Sequence, residues 1–420
     1  LAIDGREVRR IVIVGAGQAG GEAALRLRAA GFAGEIALVG DEPEPPYQRP
    51  PLSKKYLSGE LPLDRVHLKP VEAYTDAGIE LLLGRKVGWI DRTAKKLRLD
   101  GAQELSYDAL ILATGSRARR LPVAGADLPG VFTLRTIADV DAIRPHLQAG
   151  KRLAVIGAGY IGLEVAAIAR GMGLDVTVIE AAARPLARVT GELLSGFFLD
   201  QHTRQGVRFC LGAQAAVIKA DSAVRSVGLS DGTDVACDLV IAGIGILPEV
   251  TLAETAGLRI DDGIVTDATT ATSDPAIFAI GDCARRPMAH YGGRMARLES
   301  VHNALEGAKL AAAAITGAPP PQLEAPWFWS DQYDLKLQIA GLFAGHDQVV
   351  LRGDSASRRF AVFYLKDGRL LAVDAVNSPA EFLGAKQLIA KHAHLAPAAL
   401  SDISIPFKDV VAMATTQPSG

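Results

Sequence analysis

Residues Arg10–Gly20 read RIVIVGAGQAG. The apolar run Ile11–Val14 predicts a short buried parallel strand that leads straight into Gly15-Ala16-Gly17-Gln18-Ala19-Gly20, after which Glu22–Leu27 takes up helical spacing. A GxGxxG pattern acquires meaning only in this strand–turn–helix setting. Gly15 permits the tight turn and Gly17 lets backbone approach a pyrophosphate, while Gly20 lets helix and strand pack closely. The first N–H groups of the helix then face the phosphates. The device recurs at Arg152–Glu180, RLAVIGAGYIGLEVAAIARGMGLDVTVIE, with a strand over Leu153–Ile156, glycines at Gly157, Gly159 and Gly162, a helix to about Met172 and a second strand over Asp175–Ile179. Two fingerprints in this setting predict an α/β chain that binds two nucleotides.

The residues that end the second strand of each unit bear on which nucleotides. Glu35–Val39 is followed by Gly40-Asp41-Glu42, so Asp41, with Glu42 next, is placed to accept hydrogen bonds from ribose hydroxyls; a solvated acid opening a loop is the alternative. Glu180 holds the same position in the second unit. A carboxylate there accepts from a ribose 2′-hydroxyl and repels a 2′-phosphate, and Ala181–Ala183 supply no cation, which favours NADH over NADPH.

Between the fingerprints, the loop Pro43–Leu61 begins PEPPYQRPPLSKKYLSG. Its prolines fix φ and predict a stiff, extended path before a short helix near Ser53, holding Arg49 and Lys54 in a rigid frame near a phosphate or flavin ring. Flavoenzymes that reduce disulfides keep a cysteine pair in this region. Here the first cysteine is Cys210, so a thiol relay from this loop is excluded.

The chain has 420 residues, 49% of them hydrophobic and 22% charged, which suits a globular protein of two or three domains. Its net charge of −2 suggests neither nucleic acid nor an anionic membrane as a partner. The three cysteines, Cys210, Cys237 and Cys283, form no CxxC and fit a reducing compartment, and no metal is expected. With no run of eighteen apolar residues and no signal-peptide pattern, the expected location is cytoplasmic.

Further strands are predicted around an antiparallel excursion within Leu68–Leu99 and at Tyr107–Leu112, which ends in Ala113-Thr114-Gly115. Leu121–Val131 reads as the crossing into the second domain, and Asp238–Gly245 with Pro248 as the return. Ile277–Ile280 delivers Gly281 and Asp282 to a strand's carboxyl end, where Asp282 either meets a ribityl hydroxyl or caps a turn. Val301–Ile315 has an apolar stripe of Ala304, Leu305, Ala308, Ala311 and Ala312. After the linker Ala318–Pro326, strands are predicted at Leu337–Gly341, Gln348–Arg352, Arg359–Lys366 and Leu370–Val376, with a helix over Pro379–His392.

The segments PYQRPPLSKKYL, ATGSRAR, GAGYIGLEVAA, TSDPAIFAIGDCA, RLESVHNALEGAKLAA and PWFWSDQY occur in this order. Together they resemble the oxygenase-coupled, NADH-dependent ferredoxin reductases, in particular the putidaredoxin reductase-like flavoproteins of P450 systems. The resemblance implies two Rossmann-like domains of the glutathione-reductase type and an α+β C-terminal interface domain. FAD would occupy 1–115 and 246–320, NADH 116–245, and the interface domain 321–420. By position, Gly15, Gly17, Ala19, Asp41, Lys54, Val87, Arg135, Asp282 and Val301 would contact FAD, with Gly20, Arg49, Ala113, Thr114, Gly115, Gly281 and Glu299 counted beside them. Gly157, Gly159, Tyr160, Ile161, Glu164 and Glu180 would hold NADH, and Lys54 and Glu164 would flank flavin N5 and the nicotinamide.

Trp329 would line the flavin edge where an acidic [2Fe–2S] ferredoxin docks, steered by Lys69, Lys309, Lys386 and Lys408; Trp327 reads equally as core. Glu249 and His302 depart from the family pattern. The implied activity is electron transfer from NADH through FAD to a ferredoxin feeding a P450 or other oxygenase. A reductase of rubredoxin or a quinone, and a flavin-based redox sensor, are the alternatives.

Overall fold

The computed structural model describes residues 2–3, 6–221 and 224–416. By its contacts the chain forms two units, one of residues 1–49, 62–117 and 247–323, the other of 50–61, 118–246 and 324–420.

The first unit is built on a five-stranded parallel sheet in the order Ile277–Ala279, Ala109–Leu112, Arg10–Val14, Glu35–Val39 and Ile79–Leu82. The fingerprint strand is therefore central, and Ile11, Val12 and Ile13 are fully buried, as a strand covered on both faces requires. Helices Gln18–Ala29 and Val301–Thr316 pack against one another and one face of the sheet through small residues, Ala23, Ala24, Ala308, Ala311 and Ala312, with Leu27 and Ile315 filling the wider gaps. Leu305, predicted in the buried stripe, is only half-buried; Leu310 and Ile315 complete the stripe instead. The long helix begins where the Ser300 hydroxyl accepts from Asn303 N–H and ends at Gly317 with φ +68°, a left-handed stop suited to glycine. The antiparallel excursion is the three-stranded sheet Val87–Asp91, Lys96–Leu99 and Glu104–Ser106.

The second unit repeats the plan. Its parallel sheet runs Val131–Thr133, Leu239–Ala242, Arg152–Ile156, Asp175–Glu180 and Arg208–Leu211, again with the fingerprint strand central. The outermost strand beyond the fingerprint's neighbour comes late in the chain in the first sheet and early in the second.

The same unit contains a five-stranded antiparallel sheet in the order Trp327–Gln332, Leu335–Gly341, Arg369–Val376, Arg359–Lys366 and Gln348–Asp354, with helices Pro379–Ala390, Pro397–Ser401 and Phe407–Thr416. PWFWSDQY thus supplies an edge strand, Trp327–Gln332, in addition to the four predicted strands. Residues 50–61 belong to this unit, where Lys54 meets Glu164 and Tyr56 is held by Asp141 and beneath the Arg144 guanidinium, 4.6 Å from its ring. Among the described residues no helix is long and apolar enough to cross a membrane.

Candidate functional site

The two fingerprints fold into matching cradles. Gly15 and Gly157 stand at φ +109° and +104°, and a Cβ at either would lie 2.2 or 2.4 Å from the carbonyl oxygen of Ala113 or Gly243. Gly20 and Gly162 bring helix against turn: a Cβ there would meet the Gly15 or Gly157 oxygen at 1.9 or 2.1 Å. Gly17 and Gly159, in contrast, would place a Cβ in open space. The open position lies just before the helix N-terminus, where Gly17 caps helix Gln18–Ala29 and Gly159 caps helix Tyr160–Gly171, neither with a side-chain cap. Unfilled space and uncapped N–H groups fit a bound pyrophosphate.

In the first unit Asp41 is exposed, whereas Glu42 is engaged, accepting from Tyr47 Oη at 2.6 Å and Arg49 at 2.7 Å. Arg49 also lies over the Tyr47 ring and within the field of Asp282, so the proline-rich frame anchors it on an acid and an aromatic ring. Asp282 follows strand Ile277–Ala279 and accepts from Ser116 Oγ at 2.9 Å. Arg297 donates to the Asp282 carbonyl at 3.3 Å and to the exposed Glu299 at 2.6 Å. Ala113 and Val87 are buried, Gly115 and Gly281 take left-handed φ of +67° and +74°, and Val301 opens its helix half-buried. Thr114 Oγ1 donates to the Glu249 carbonyl at 2.6 Å, and Glu249 N–H to the Gly115 carbonyl at 2.9 Å. Position 249 therefore contributes backbone to the turn, whatever its side chain. His302, the other departure, is buried with Nε2 4.0 Å from Glu306, which pairs with Arg286.

In the second unit Glu180 lies at the end of its strand, Oε2 accepting from Ala158 N–H at 2.6 Å and Oε1 from Ala182 N–H at 2.8 Å. Each carboxylate oxygen keeps a further lone pair for a ribose hydroxyl. Tyr160 stacks obliquely on Phe328 at 4.8 Å, Ile161 is exposed, and Arg135 donates its N–H to Asp139 within a helix-capping turn.

Lys54 and Glu164 meet inside the second unit. Lys54 Nζ donates to Glu164 Oε2 at 2.7 Å, Ser53 Oγ donates to the same oxygen at 2.5 Å, and Ser330 Oγ donates to Oε1 at 2.6 Å. Glu164 is 1% exposed and Lys54 16%. Burial pushes the Glu164 carboxyl above the ordinary carboxylate range, while the Lys54 ammonium and the Ser330 and Ser53 hydroxyls pull it back.

Trp327 packs between Phe382, Trp329 and the Lys386 ammonium, and Trp329 lies beside Trp327 and Phe328. Lys386 is held by Glu324 at 2.7 Å, so it differs from the exposed Lys69, Lys309 and Lys408. All three cysteines are free thiols; burial raises Cys237 to about 11 and also raises Cys283.

Ser53, Ser116, Arg297 and Ser330 are functional candidates that sequence reading passed over. Each adjoins or lies within a quoted segment, but a serine's role depends on which distant acid it faces.

Residues 9–308 match the Pyridine nucleotide-disulphide oxidoreductase family, and residues 327–411 the Reductase C-terminal family. The chain is 47% identical over 406 residues to the "Probable ferredoxin reductase CtmF" of Castellaniella defragrans, covering 96% of this chain and 98% of the relative. It is 45% identical over 415 residues to "Putidaredoxin reductase CamA" of Pseudomonas putida, covering 97% and 98%. Among solved structures, the reductase in the covalent putidaredoxin reductase–putidaredoxin complex superposes with a TM-score of 0.95 at 44% identity, covering 97% of this chain and 99% of that one. With both cradles in place and the match spanning most of its length, the chain belongs to the pyridine nucleotide-disulphide oxidoreductase family.

Proposed function

We propose that this protein is an FAD-containing, NADH-dependent ferredoxin reductase that passes single electrons to a [2Fe–2S] ferredoxin feeding a cytochrome P450 or another oxygenase. The observation that carries it is the pair of matching cradles in one chain, each open at its second glycine, with no thiol in the loop between them. Relatives named as ferredoxin reductases, and the complex with putidaredoxin, support the acceptor. Bound FAD supplies the conversion from a two-electron donor to a one-electron acceptor.

In this reading 1–115 and 246–320 carry FAD, 116–245 carries NADH and 321–420 serves as the interface domain. The Gly15–Gly20 cradle takes the FAD pyrophosphate, Asp41 the adenosine ribose and Asp282 the ribityl chain; the other residues assigned to FAD line it. The Gly157–Gly162 cradle and Glu180 take NADH. Lys54 and Glu164 stand beside the nicotinamide and flavin N5, where a charged, oriented ammonium holds the acceptor geometry. Trp329 lines the docking edge, and Lys69, Lys309 and Lys408 steer an acidic partner from exposed positions, with Lys386 the constrained member. The protein works in the cytoplasm, where its free thiols stay reduced.

Anaerobic mixing of the FAD-loaded protein with NADH, followed by addition of a [2Fe–2S] ferredoxin, a rubredoxin or a quinone, tests the proposal. Bleaching of the flavin by NADH and rapid turnover with the ferredoxin are expected. A flavin that NADH cannot bleach overturns the reading, and turnover confined to rubredoxin or quinone replaces the acceptor.

A further inference from the structure

A buried hydrogen-bonded chain leads away from the Lys54–Glu164 pair. Glu164 Oε1 accepts from Ser330 Oγ at 2.6 Å, and Ser330 Oγ accepts from Gln332 Nε2 at 3.1 Å. Gln332 Oε1 lies 2.8 Å from His202 Nε2, and His202 Nδ1 lies 3.0 Å from the Tyr333 hydroxyl. Ser330, Gln332 and His202 are 0%, 1% and 0% exposed, so water does not compete for these groups. Ser330 and Gln332 are alternate residues of one strand and face the same side, and His202 comes from the last turn of helix Glu192–Arg204.

The charge on Glu164 sets the direction of the whole chain. A carboxylate only accepts, so Ser330 donates and its oxygen is left to accept from the Gln332 amide. The Gln332 carbonyl oxygen then faces His202, which must donate from Nε2. Its bare Nδ1 accepts the Tyr333 proton. This arrangement uses a neutral His202, the form that burial favours by lowering its pKa to about 4. Glu164 Oε2 is already shared by Lys54 and Ser53, so the bond from Ser330 restrains rotation of the carboxylate about its other oxygen.

We propose that Ser330, Gln332 and His202 are positioning residues that lock the Glu164 carboxylate in the orientation that meets Lys54, with Tyr333 closing the chain. The proposal rests on the reading of Lys54 and Glu164 as the pair beside the nicotinamide. It gives the PWFWSDQY segment a role in flavin reduction in addition to partner docking.

Stopped-flow reduction of the FAD-loaded protein by NADH, as a function of pH, tests this in Glu164→Gln, Ser330→Ala, Ser330→Thr and Gln332→Leu. Lys54 and Tyr160 are the titratable groups that face Glu164. Ser330→Ala is expected to slow flavin reduction about tenfold and Gln332→Leu a few-fold, with the Kd for NADH within about twofold of wild type. The acidic limb of the Ser330→Ala profile should move to higher pH, because Glu164 has lost a donor that favours its charged form. Ser330→Thr, which keeps the hydroxyl, should restore both rate and limb.

If Glu164→Gln is slow but Ser330→Ala and Gln332→Leu match wild type in rate and pH profile, the positioning role is refuted. It is equally refuted if Ser330→Thr behaves as Ser330→Ala, since packing then explains the loss. Wild-type reduction by Glu164→Gln overturns the underlying reading of the pair and the proposal with it. Should Ser330→Ala lose its FAD, Gln332→Leu decides by the same readout.

Discussion

Lys54 Nζ donates to Glu164 Oε2 at 2.7 Å although 110 residues separate the two in the chain. Taking away one member of a buried pair leaves the other uncompensated, which costs about 3–5 kcal/mol of stability. Lys54→Met and Glu164→Gln should therefore each lower Tm and slow flavin reduction by NADH. The double variant should recover Tm while reduction stays slow. Thermal melts and stopped-flow traces on the four proteins separate the pair's contribution to the fold from its contribution to the reaction.

The glycines of each cradle should divide by role. Gly17→Ala and Gly159→Ala place a methyl in open space, so they should fold with near wild-type Tm but lose FAD and NADH affinity respectively. Gly20→Ala and Gly162→Ala drive a methyl to 1.9 and 2.1 Å from a backbone oxygen and should lose stability by several kcal/mol or fail to fold. Flavin content, NADH titration and melting curves check the division.

Glu180 accepts two backbone N–H groups while facing the proposed ribose site. Glu180→Ala should raise KM for NADH about tenfold and relax discrimination against NADPH by removing the like charge that repels its phosphate. Unchanged ratios of kcat/KM for the two cofactors would remove Glu180 from the site.

Two buried groups in the second unit oppose each other in pH dependence. Burial raises Asp374 from 3.8 to about 6, against the pull of the Thr190 and Tyr364 hydroxyls that bond it. This acid binds its proton more tightly when folded, so its contribution is fullest below pH 3.8 and is lost as pH rises to about 6. His202, lowered from 6.5 to about 4, contributes fully above pH 6.5 and loses that contribution as pH falls toward 4. Asp374→Asn should therefore make Tm climb more steeply than wild type between pH 4 and 6, and His202→Gln should do the reverse; melts across that window check both signs.

The steering lysines should not behave alike. Lys309→Glu, exposed, is expected to raise the ferredoxin KM a few-fold and flatten its salt dependence while leaving ferricyanide reduction intact. Lys386→Glu also breaks the bond to Glu324 and the contact with Trp327, so its Tm should fall as well. Equal Tm values for the two variants would contradict the difference.

Much of this was local information. A strand followed by spaced glycines and a helix is written in consecutive residues, so RIVIVGAGQAG and its second copy specified both cradles, their central strands and the acids that follow. The helix Val301–Thr316, the four C-terminal strands and helix Pro379–Ala390 were legible for the same reason, through period and punctuation. Resemblance supplied the pairing of Lys54 with Glu164, which periodicity alone does not reach.

Tertiary structure decided what depends on residues distant in the chain. It assigned residues 50–61 to the second unit because Tyr56 finds Asp141 and Arg144 there. It set Lys386 against Glu324 and left Asp41 exposed beside an engaged Glu42. It also joined Glu164 to His202 through Ser330 and Gln332. A polar side chain carries no mark in sequence of the partner it will meet; once buried it must find one, and only the folded backbone fixes which donors and acceptors lie within reach.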